Sequence, residues 1–202
     1  MANDQSGSLG LKPIRQPGGN MEIMYFRANT AQDIFRWQPI AINNSGQAAV
    51  AAIGDLTQLL GTAVGFLDIN HASLPTYMID LNQAAFLASG NDGLVAVTVD
   101  PNQLYILEAD TGGGTLISTS EIGNTVGFTY LATTGSTTTG IANVLLDASD
   151  AAADSGGSFR IVGLSGNVNQ DGTFNTSSAN FVKAIVKINY YQFGPTGLAV
   201  GF

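Results

Sequence analysis

No apolar run in this sequence goes far before glycine, asparagine, aspartate or proline breaks it. Runs of four to eight residues rich in β-branched and aromatic side chains, bounded by turn-forming residues, are the mark of short strands. Candidate strands lie at Met21–Ala28, Gln38–Ile42, Ala48–Ala52, Thr62–Ile69, Thr76–Ile79, Leu94–Val99, Leu104–Glu108, Thr125–Leu131, Asn143–Asp147, Phe159–Leu164 and Phe181–Tyr191. The last is the clearest. Val182, Ala184, Val186 and Ile188 alternate with Lys183, Ile185, Lys187 and Asn189, so one face is apolar and the other carries the lysines. The chain contains 25 glycines in 202 residues, well above the average share of about 7%. Glycine and β-branched residues are poor helix formers, which leaves two minor helical candidates, Leu81–Ser89 and the stretch Asp147–Asp154. The expected fold is all-β: an antiparallel β-barrel or sandwich with at most one or two short helices.

Residues 1–20 read differently. Gly7, Gly10, Pro13, Pro17, Gly18 and Gly19 stand among polar residues, with Leu9, Leu11 and Ile14 as isolated apolar anchors. So little apolar surface does not offset the entropy of ordering the segment alone. The expected organisation is an extended N-terminal arm over 1–20 and a single β-rich body over 21–202.

Charge excludes one class of partner. The net charge is −8, and residues 37–202 hold only three bases, Arg160, Lys183 and Lys187, against twelve acids. Phosphate-backbone affinity comes from lysine and arginine, so no nucleic-acid partner is expected. Residues 1–36, with Lys12, Arg15, Arg27 and Arg36 against Asp4, Glu22 and Asp33, form a mildly basic segment on an acidic body. Cysteine is absent, so neither disulfides nor thiolate chemistry is open to the chain. The first residues, MANDQSGSLG, lack the basic and apolar regions of a secretory signal, and no apolar stretch approaches the ~20 residues of a membrane-spanning helix. Synthesis in a cytoplasm and no membrane partner are expected.

No reactive centre assembles from the sequence. His71 is the only histidine, and it stands in a loop-like context without a Gly-x-Ser-x-Gly elbow. Asn167-Val-Asn-Gln-Asp-Gly172 resembles the start of a calcium loop, but Asn167 replaces its first carboxylate and Ser178 its closing glutamate; a hairpin turn explains the same residues. Gly112-Gly-Gly114 lacks the lysine and helix of a phosphate cradle, and Asn43-Asn44-Ser45 and Asn175-Thr176-Ser177 read as loop residues. Asp147, Asp150 and Asp154 read as solvated acids. Neither a cofactor nor a metal is expected, and the chain reads as a binding or assembly module, not an enzyme.

Several segments are similar in order and spacing to accessory structural proteins of tailed-bacteriophage heads, the decoration or cement proteins. They are Gly10-Leu-Lys-Pro-Ile-Arg15 followed by Gly18-Gly-Asn20; Phe35-Arg-Trp-Gln-Pro-Ile40; Val99-Asp-Pro-Asn-Gln-Leu-Tyr-Ile-Leu-Glu108; Ile122-Gly-Asn-Thr-Val126; Gly135-Ser-Thr-Thr-Thr-Gly-Ile-Ala142; and Phe159-Arg-Ile-Val-Gly-Leu164. Together they span most of residues 9–190. Two departures stand out: Arg36-Trp37-Gln38 where a Gly-Asp pair is commoner before the proline, and Glu108 where glutamine is frequent. The resemblance implies a β-rich virion subunit on the outer capsid surface, with no catalytic residues to carry over. Its expected partners are the major capsid protein and sister decoration subunits, a symmetric trimer being favoured. The expected contact runs through the arm residues Leu11, Lys12, Pro13, Ile14 and Arg15. Alternatives are a tail- or fibre-associated component; a carbohydrate-binding module with an aromatic platform near Trp37, Tyr77 or Tyr105; and a hydrolase using Asp147, Asp150 or Asp154.

Overall fold

The computed structural model describes residues 10–14, 21–54, 57–68, 86–110, 117–152, 156–165 and 182–194. Within them the strands are β1 (Lys12–Pro13), β2 (Ile23–Arg27), β3 (Ile34–Phe35), β4 (Pro39–Ile42), β5 (Ala48–Val50), β6 (Gly61–Asp68), β7 (Phe86–Leu87), β8 (Gly93–Thr98), β9 (Leu104–Glu108), β10 (Thr125–Val126), β11 (Phe128–Gly135), β12 (Ala142–Leu146), β13 (Phe159–Leu164) and β14 (Lys183–Ile188). Helix is limited, among the described residues, to single 3₁₀ turns such as Thr119–Glu121 and Ala148–Asp150. The all-β expectation holds.

The described strands pair antiparallel, while isolated bridges such as Arg36–Ile141 are parallel. One sheet has the order β1-β9-β14-β13-β10, a second the order β2-β8-β6-β4-β5, and two ribbons pair β11 with β12 and β3 with β7. The sheets stay open, so of the two architectures expected the structure takes the sandwich and not the barrel.

Two apolar clusters follow from this layering. The first sheet supplies Tyr105, Leu107, Phe159, Ile161, Val186 and Ile188, and the β11–β12 ribbon answers with Phe128, Val144 and Leu146. The ring of Phe128 meets that of Phe159 edge-on at 5.9 Å, which fixes the ribbon against the sheet. The second sheet buries Ile40, Ala63, Phe66, Val95 and Val97 together with Ile34 and Leu87 of the small ribbon. The clusters are linked by polar and aromatic contacts: Thr98 Oγ1 lies 3.0 Å from the Tyr105 hydroxyl, and Tyr191 packs against both clusters while its hydroxyl donates to the Val99 carbonyl.

β14 is built as its alternation predicts. Ala184, Val186 and Ile188 are buried while Lys183, Ile185 and Lys187 are half-buried on the opposite face. The strand stops at Ile188, earlier than expected, because Asn189 turns back onto Ser158 and Gly157 through its main-chain and side-chain N–H groups. The expected strand Thr125–Leu131 is two strands in different sheets. Gly127 makes the break: its N–H donates to Asp150 Oδ2, and a Cβ there would come within 2.7 Å of that same oxygen. The candidate helix Leu81–Ser89 is overturned at Phe86–Leu87, which pair with β3. Stacking of Phe86 on Phe35 at 5.1 Å and burial of Leu87 outweigh local helix propensity there. Residues 81–85 and the candidate strand Thr76–Ile79 lie outside the described residues.

The largest difference concerns the arm. Residues 10–14 belong to the first sheet: Lys12 and Pro13 pair with Ile106 and Tyr105, the Ile14 N–H donates to the Leu104 carbonyl, and Gln103 Nε2 donates to the Ile14 carbonyl at 2.6 Å. Gly10 has a φ of +62° and passes so close to Trp37 that a Cβ would sit 2.8 Å from that residue's own Cβ. Leu11 then enters the first core fully buried. One apolar anchor, insufficient on its own, becomes sufficient when the body supplies a sheet edge and a cavity for it. Leu11→Ala is therefore expected to lower stability by about 2–4 kcal/mol. Guanidinium denaturation would read this as a lower midpoint with an unchanged slope, and a shift under ~0.5 kcal/mol would refute the role.

Candidate interaction surfaces

Of the arm residues expected to hold a partner, Leu11 faces inward, Lys12 is exposed, Pro13 and Ile14 are half-buried, and Arg15 lies outside the described residues. Leu11 is engaged by its own chain and is not offered to another. Lys12 instead joins a cluster that spacing alone does not reveal. Its ammonium lies 5.4 Å from the centre of the Trp37 ring, and the Arg36 guanidinium lies 4.6 Å from the same centre. Both are cation–π distances. Trp37 has a φ of +62°, the left-handed region, the one non-glycine residue so placed among those described. It is held there by main-chain bonds on both sides, its N–H to the Ala63 carbonyl and its carbonyl to the Leu11 N–H. Neither Lys12 nor Arg36 pairs with a carboxylate among the described residues.

A second surface lies along β2 in the second sheet. β2 ends the sheet order among the described strands, and Met21, Ile23, Met24 and Tyr25 are each about 40–50% exposed. Its one inward ring, Phe26, packs on the second core and lies 6.3 Å from Phe193, itself exposed. Arg27 closes the edge with a two-pronged bond to Asp92 at 3.0 and 2.7 Å. Soluble proteins usually blunt sheet edges with charge, proline or cover, and on β2 Arg27 supplies the charge beside the apolar Ile23 and Met24.

Acids gather at a third place. Asp110 accepts from the Ala148 N–H, Asp147 from the Ser149 N–H and Asp150 from the Gly127 N–H, which brings three carboxylates to the turn after β12. Asp147 and Asp150 border a cleft of about 270 Å³ shared with Ile53, Gly54, Gly127, Phe128 and Ser149. Asp154 lies outside the described residues, as do His71, Tyr77, Gly112–Gly114, the Asn167–Gly172 loop and the Asn175 site. Tyr105 is fully buried and cannot serve as a sugar platform, its hydroxyl being engaged by Thr98.

Among the described residues Glu108 is the one strongly perturbed carboxyl. It is almost fully buried, its Oε1 has no hydrogen-bond partner, and burial pushes its pKa up to about 7 against the opposing pull of Lys183 across the strands.

Comparison with protein-family models, with curated proteins and with solved structures finds no match to this chain.

Proposed function

We propose that the chain is a structural subunit of a virus particle, a decoration or cement protein that binds the outer surface of a tailed-phage head and stabilises it through contacts with the major capsid protein and with sister subunits. The observation that carries this reading is the apolar stretch along β2, the last strand in its sheet among those described, where Met21, Ile23 and Met24 are each about 40–45% exposed. A neighbour's extended segment added there gains main-chain hydrogen bonds and apolar burial together, the physics of strand addition. A subunit that holds a shell together by many copies of a modest contact needs such a surface.

The reading is tested on intact particles of the virus whose genome carries the chain. Labelled protein is expected to decorate heads evenly in many copies, while Met24→Lys together with Ile23→Lys lowers occupancy at least about tenfold without lowering the melting temperature. Label confined to a few sites at the tail, or coating that ignores both substitutions, would overturn the head-decoration reading. Deletion of residues 2–20 is the poorer test, because it also removes Leu11 from the core.

A further inference from the structure

The Lys12–Trp37–Arg36 cluster and the Asp110–Asp147–Asp150 cluster stand at opposite ends of one strand. Arg36 bridges to Ile141, taking its N–H to the Gly140 carbonyl and giving its carbonyl to the Ala142 N–H, where β12 begins. Asp147 follows Leu146, where β12 ends. Six residues of strand at ~3.3 Å each separate the two by about 20 Å. That is roughly twice the Debye length at ordinary ionic strength, so the two ends do not neutralise one another within one molecule. Among the described residues the segment carries cations unpaired with carboxylates at one pole and carboxylates at the other, and Ala142, Val144 and Leu146 of the strand between them are buried in the core.

We propose that these poles are the two halves of a head-to-tail contact between copies of this chain: the cations and indole around Trp37 of one subunit dock against the Asp110, Asp147 and Asp150 turn of the next. The proposal rests on the reading of the chain as an assembling structural subunit and names which of its surfaces meets a sister copy. Three observations select a second copy as the occupant. The charges are complementary; the acidic pole borders a mostly polar cleft at which Ile53 is more than half exposed; and the basic pole holds the one tryptophan and an arginine, residue types enriched among interface hot spots. Lys12 and Arg36 already lie against the indole before any partner arrives, so docking does not have to gather them. Because unlike patches meet, the contact is heterologous and either closes into a ring or continues as a chain. Closure after three copies gives the expected trimer.

The test needs no virus particle. As the only tryptophan, Trp37 reports on the basic pole alone, so its emission and the sedimentation of the full chain are followed together against protein concentration, in low salt and in about 1 M salt, where the Debye length falls to ~3 Å. Association accompanied by a change in Trp37 emission, and reversed by salt, is expected. Arg36→Glu, or Lys12→Glu as the exposed alternative, should weaken self-association about tenfold or more, and so should Asp147→Lys. Mixing the Arg36→Glu and Asp147→Lys chains should restore association between unlike partners, which a merely misfolded variant would not do. A wild-type chain that stays monomeric with constant Trp37 emission, or mixed variants that fail to associate, would refute the proposal. Particle decoration is scored separately, so a chain that coats heads without self-associating overturns this contact and leaves the decoration reading intact.

Discussion

Gly61→Ala is expected to destabilise the chain by about 3 kcal/mol or more, the larger end of overpacking effects. A Cβ built on Gly61 would fall 1.8 Å from the Thr98 carbonyl oxygen and 2.7 Å from its Oγ1, so the obstacle is main chain and cannot rotate aside. Gly61 opens β6 and pairs with Ile40, and the next residue, Thr62, donates its N–H to Thr98 Oγ1. Relief would have to pull β6 from β8, the pairing at the centre of the second sheet. Thermal melting should show a fall of roughly 6–12 °C, taking 2–4 °C per kcal/mol for a chain of this size. A fall below about 2 °C would show that the sheet yields where a rigid contact is described. Gly65, whose Cβ would meet only the Ala96 methyl at 3.8 Å, is the control that tolerates alanine.

The second large effect is pH-dependent. Glu108 holds its proton in the folded chain up to about 7, whereas its ordinary value is 4.5. Between those values the folded state binds more protons than the unfolded, so this carboxyl's contribution to stability is complete below about pH 4.5 and is lost as pH rises through about 7. At 1.36 kcal/mol per pH unit, and allowing for relaxation at the site, the loss is on the order of 2–3 kcal/mol. Glu108→Gln removes the ionisation while keeping the shape, so its advantage should grow between pH 5 and pH 8 to about 4–10 °C in melting temperature. Parallel pH profiles for the two chains would sink the assignment.

Where the sequence spoke clearly, a local rule and the tertiary structure agreed. Leu104–Glu108 and Phe159–Leu164 are strands over the very residues that their apolar content and bounding turns predict, and the lysines of β14 share one face. β1, β3 and β7 have two residues each and no period to read; they exist because distant partners at Tyr105–Ile106 and across Phe35–Phe86 make them. Leu11 misled for the same reason, since isolation in sequence says nothing of a cavity some ninety residues away. The separation of a basic start from an acidic body was readable, and both charged poles come from it. That Arg36 and Asp147 cap one strand was not, because the Arg36–Ile141 bridge is a long-range pairing with no local mark.

The distribution of strands along the chain also sets an order of events during synthesis. Every strand of the β2-β8-β6-β4-β5 sheet is encoded by residue 98, so that half can pair while the rest of the polypeptide is still being made. Its companion joins Lys12 to Ile188 and must wait until β14 has been made. Until β9 emerges, Leu11 trails without a berth, and the nascent chain carries an unpaired apolar segment for the interval that a chaperone would find easiest to exploit.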